Sequence, residues 1–114
     1  MPKSVTRSYS RYTEEAITLL SGLIRAARLG RKLSAQEVAE RVGISRSMLQ
    51  RIEKGDLKCE IGAVFEVATI VGVNLFNAEP SSFTLAGYIK ETEEKLALLP
   101  KKARKKVKVV DDDF

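Results

Sequence analysis

One stretch limits the possible folds of this chain more than any other. It runs from Ser34 to Gly55 and reads SAQEVAERVGISRSMLQRIEKG. The Ser34 hydroxyl can accept a backbone N–H from the first turn of a helix, and Glu37, three residues on, completes a capping box. Val38, Ala39 and Val42 then recur at helical spacing and make one apolar stripe. Gly43 supplies the left-handed geometry of a helix end. Ile44 can plug the turn into a core, Ser45 is a second N-cap, and Leu49 and Ile52 give the next helix a buried side before Gly55 ends it. This order predicts two short helices joined by a tight turn, and with them an all-α domain.

Two helices joined in this way make a helix-turn-helix, whose second helix enters the DNA major groove with its N-terminal residues forward. Arg46, Ser47, Gln50 and Arg51 lie off the Leu49/Ile52 face and are the candidate base readers. Arginine can pair bidentately with guanine, and glutamine with adenine. The charge balance suits such a partner: 20 Lys and Arg against 15 Asp and Glu leave a net +5, which favours a polyanion.

The inventory excludes much else. The chain has no histidine and one cysteine, Cys59, which removes the common zinc sites, histidine-based catalysis and any internal disulfide. No glycine-rich phosphate loop is visible. A catalytic residue, a metal and a cofactor are therefore not expected, and the chain does not read as an enzyme. Its apolar runs are too short and interrupted to span a bilayer, and its N-terminus lacks the apolar region of a signal peptide, so no membrane association and a cytoplasmic location are expected. Tryptophan is absent and aromatic content is only 6%, which predicts an aliphatic core.

The stretches around the motif complete the domain. Residues 1–13 read as a flexible basic arm, with Lys3, Arg7 and Arg11 among Ser, Thr and Tyr. Thr13 is the expected cap of a helix from Glu14 to about Leu29, with Ile17, Leu20, Ile24 and Ala27 as its buried stripe. A further helix from about Glu60 to Val71 is apolar nearly all round, and the surplus apolar surface suggests a homodimer. Val73, Leu75 and Phe76 form a short fifth segment, which closes a helix-turn-helix domain at residues 14–78. A linker and an additional helix follow over residues 79–99, with Thr84 as cap and Leu85, Tyr88, Ile89, Thr92, Leu96 and Leu99 on one face. Pro100 opens a charged tail, residues 100–114, expected to be disordered: a basic block, a short apolar stretch, then Asp111, Asp112, Asp113 and Phe114.

From Leu23 to Phe76 the chain resembles the Cro/CI (XRE) family of five-helix DNA-binding domains. The residues that carry the resemblance are Ile24-Arg25, Arg28, Leu33-Ser34, Glu37, Ala39, Gly43, Ile44-Ser45-Arg46-Ser47, Ile52-Glu53-Lys54-Gly55, Val67-Ala68 and Gly72-Val73. The resemblance implies an ion pair between Arg28 and Glu53. It also implies phosphate contacts from Ser34, Gln36, Ser45, Lys54, Gly55 and Lys58. Where the family often has glutamine directly after the first cap, this chain has Ala35, with Gln36 next. The tail, together with the helix VFEVATIVGVNLF, resembles antitoxins of the HipB type, made beside a HipA-like kinase toxin. That resemblance implies a homodimer that binds a palindromic double-stranded DNA operator, represses its own operon and holds the kinase inactive, with Asp111 to Phe114 facing the toxin. Two other readings remain open: a stand-alone repressor whose tail only tunes DNA affinity, and a protein-interaction module that has lost base reading.

Overall fold

The computed structural model describes residues 8–76 and 82–102. Among these it contains five helices and no strand: α1 (Arg11–Gly30), α2 (Ala35–Val42), α3 (Arg46–Glu53), α4 (Ile61–Val71) and α5 (Ser82–Ala97). The chain divides into two compact units, Met1–Asn77 and Ala78–Phe114. The first holds α1 to α4, with α2 packed on α3 and α4, and α1 packed on the same two helices. The described residues are all-α, as expected, but the first unit holds four helices where five were expected.

The α1 helix starts earlier than its sequence suggests. Ser10, in extended geometry, is the cap, and its hydroxyl accepts the Thr13 N–H at 3.2 Å. Thr13 therefore lies inside the first turn, and Arg11 to Thr13 are helical rather than part of an arm. Along α1, Ser21, Ile24 and Arg28 are buried, while Ile17, Leu20 and Ala27 are half-buried.

The α2 helix opens on the expected capping box. Ser34 Oγ accepts the Glu37 N–H at 3.0 Å, and Glu37 Oε1 accepts the Ser34 N–H at 2.8 Å. The Ser34 N–H, and after it the Ser34 hydroxyl, favour the charged carboxylate and hold the Glu37 pKa below its ordinary value. Gly43 stands at φ 82°, and its N–H and that of Ile44 both donate to the Ala39 carbonyl. The chain thereby reverses within three residues and delivers Ser45 to the start of α3.

The core is aliphatic: Ile24, Val38, Ala39, Leu49, Ile52, Val67, Ala68 and Val71 are buried, contributed by all four helices. Each fully buried Val, Leu or Ile stabilises the unit by about 1.5–3 kcal/mol. Val67, Ala68 and Val71 are the inward face of α4, whereas Ile61 is 74% exposed at its start. Gly72 ends α4 at φ 89°, and a side chain there would run into the Arg31 guanidinium. The segment after it, Val73 to Phe76, is bent rather than helical. It still closes the core, since Val73 and Leu75 pack against it and the Phe76 ring sits 6.0 Å from that of Phe65.

In the second unit α5 begins at Ser82, so Thr84 lies within its first turn instead of capping it. Leu85, Tyr88, Ile89, Leu96 and Leu99 are all exposed. The tail residues Asp111 to Phe114 lie outside the described residues, as do most of the N-terminal arm and the break at residues 77–81.

Candidate nucleic-acid interface

Three constraints hold α3 in place. At its start, Ser45 Oγ accepts the Met48 N–H at 3.0 Å. Along its length, Leu49 and Ile52 are buried. At its end, Glu53 is clamped by Arg28 from α1. Arg28 Nε donates to Glu53 Oε2 at 2.6 Å, Nη2 donates to Oε1 at 2.9 Å, and Nη1 donates to the Leu33 carbonyl at 3.0 Å. The two side chains are only 10% and 8% exposed, and the bond to Glu53 pushes the Arg28 pKa above its ordinary value. The clamp therefore links the end of α3 to α1 and to the loop before α2. Gly55, at φ 82°, lets the chain turn directly over α1, where an added Cβ would stand 3.5 Å from Ser21 Oγ.

A helix advances 100° per residue, so Arg46, Gln50, Ser47 and Arg51 fall within an arc of about 140°, away from Leu49 and Ile52. All four are exposed. They are thus brought together on one solvent face, although they come from two turns of helix. Arg51 has a partner that its sequence spacing does not announce. Its Nε donates to Asp56 Oδ2 at 2.8 Å, while Asp56 Oδ1 accepts the Lys58 N–H at 2.8 Å. These bonds hold the Asp56 carboxyl below its usual pKa and raise that of Arg51.

The candidate phosphate contacts are placed less uniformly. The Ser34 and Ser45 hydroxyls serve as cap acceptors. Gln36 donates its side-chain amide to Glu40 Oε2 at 3.0 Å. Lys54 and Lys58 are exposed just beyond α3. The Gly55 N–H, expected to reach phosphate, donates to the Ile52 carbonyl at 3.2 Å. That bond belongs to the turn closing α3, which takes up the donor.

Among the described residues no cluster of metal-ligating side chains occurs, and no helix is long and apolar enough to cross a membrane.

Comparison with known proteins places this geometry. Residues 24–75 match the helix-turn-helix family. No curated protein matches the chain. Among solved structures, a HipB variant in complex with an O2 20mer is similar in fold, with a TM-score of 0.50 at 15% identity, over 68% of this chain and 100% of that one.

Proposed function

We propose that this chain, whose residues 24–75 are a helix-turn-helix domain, is a sequence-specific DNA-binding repressor. The observation that carries the reading is the exposed arc of Arg46, Ser47, Gln50 and Arg51 on a helix fixed at both ends. A rigid helix that presents two guanidiniums and an amide has the dimensions and donors for a major groove. Lys54 and Lys58 flank it and supply charge to the backbone without reading sequence. The protein acts as a homodimer on a palindromic operator, whose half-sites lie about one helical turn of DNA apart. It autoregulates its operon and is the antitoxin of a HipA-like kinase, with Asp111 to Phe114 as the toxin-facing residues. The acidic, apolar-ended tail supports the last point, because DNA would repel it while a basic groove with an apolar pocket would accept it.

Fluorescence anisotropy at one fixed salt concentration tests the DNA reading. The protein is titrated into duplex DNA from upstream of its gene and into scrambled DNA of equal length. A preference of about a thousand-fold or more is expected. Equal, strongly salt-dependent affinity for both would refute base reading. Copurification of a kinase from a co-expressed operon tests the antitoxin reading. Removing Asp111 to Phe114 is expected to weaken that complex and leave DNA binding intact; unchanged kinase affinity refutes the role of the tail.

A further inference from the structure

A carboxylate stands beside the face that meets DNA. Asp56 lies just past the end of α3, a position where a polyanionic ligand would repel it. It is held there nonetheless, with both oxygens engaged: Oδ1 by the Lys58 N–H and Oδ2 by Arg51 Nε, each at 2.8 Å. The Asp56 N–H closes the same turn onto the Arg51 carbonyl at 3.0 Å. Backbone and side chain of residue 51 are therefore tied to the same aspartate.

We propose that Asp56 is a positioning residue for base recognition: it grips Arg51 by Nε and leaves the Nη1/Nη2 edge for a paired acceptor on a base. The proposal rests on the DNA-reading function put forward above. Its physical basis is the shape of the guanidinium. An arginine offers five N–H donors in a planar fork, and a carboxylate on Nε fixes the plane while the two terminal nitrogens keep donors. Two parallel donors match O6 and N7 of guanine. An arginine ordered before DNA arrives loses less rotamer freedom on binding. The pair is also nearly neutral, so Arg51 adds little to backbone attraction and its donors serve discrimination instead.

The test uses the full chain as wild type, Asp56→Asn, Arg51→Ala and the double variant. Each is titrated into a duplex selected by the wild-type protein from a random-sequence library, and into scrambled DNA, at one salt concentration. Loss of an exposed ion pair corresponds to a change of up to about five-fold. Asp56→Asn is expected to bind scrambled DNA somewhat more tightly, because a negative charge is gone. Its specific-to-scrambled ratio is expected to fall about three- to five-fold, with relaxation at the base pair that Arg51→Ala relaxes. In the Arg51→Ala background, Asp56→Asn is expected to leave the ratio unchanged. The Arg51 Nε–H resonance is expected to exchange faster with water in Asp56→Asn. A ratio unaffected by Asp56→Asn, or reduced equally with and without Arg51, overturns the proposal and leaves Asp56 as an electrostatic brake. A wild-type protein that selects no sequence overturns the DNA-reading function itself, an outcome separate from any difference between the variants.

Discussion

Truncating Glu53 to alanine tests how much of the recognition geometry depends on one clamp. The variant removes both acceptors of Arg28, at 2.6 and 2.9 Å, and leaves the guanidinium with only the Leu33 carbonyl. Arg28 cannot escape to solvent, since its side chain is 10% exposed. Stranding one member of a buried pair costs about 3–5 kcal/mol, and the residual solvent contact here favours the lower end, about 3 kcal/mol. A unit of this size is stable by only about 4–10 kcal/mol. Urea unfolding of the full chain, followed by circular dichroism, reads the loss directly. With a slope of about 1 kcal/mol per molar, the midpoint should fall by about 3 M. Replacing both partners with apolar residues, as Arg28→Met with Glu53→Leu, should recover most of that loss, because no charge is then left stranded. A shift equivalent to less than about 1 kcal/mol for Glu53→Ala would mean that the pair behaves as a surface ion pair, and the burial reasoning would be wrong.

Other consequences can be checked in the same preparations. Arg46→Ala should cost about 1–3 kcal/mol of specific DNA binding and relax base preference; equal weakening on operator and scrambled DNA would make it a phosphate contact. Lys54→Ala should weaken all duplexes alike and lower the salt slope by about one, measured by anisotropy across a salt series. The lowered Glu37 pKa gives its cap a defined acid limit. Its contribution is fully present above the ordinary carboxylate value and is lost as pH falls through the lower folded value. Glu37→Gln should therefore flatten that part of the curve of stability against pH, as read by thermal melts.

What could be read in advance was largely local. The Ser34/Glu37 box and the Gly43 turn depend on residues three or four apart, and their geometry is as expected. The Arg28–Glu53 pair spans helices, so no periodicity reveals it; it was accessible through resemblance and is present at 2.6 Å. The α1 cap lies at Ser10 rather than at the expected Thr13, because both residues offer a hydroxyl near the start of the helix and local chemistry allows either. The choice fell to Ser10, whose hydroxyl reaches the Thr13 N–H. An apolar run such as α4 hides its orientation, because nearly every face can be buried; the packing of α1 and α2 selects Val67, Ala68 and Val71. The Arg51–Asp56 bond was illegible for a different reason. The five-residue separation is not a helical neighbour spacing, and the two side chains meet only because Gly55 bends the chain at φ 82°.

The division of α3 into two arcs has a consequence for how such a protein can change. Leu49, Ile52 and Glu53 fix the helix to the rest of the unit, while Arg46, Ser47 and Gln50 are exposed and make no structural bond through their side chains among the described residues. Surface substitutions of that kind usually alter stability by no more than about 0.5 kcal/mol. On the DNA-reading function proposed above, mutation can therefore explore new operators at these three positions with little cost to folding. Drift at the ion pair is constrained on both sides at once. The same scaffold can diverge into regulators that ignore one another's sites, and the residues that separate them would be few, exposed and adjacent.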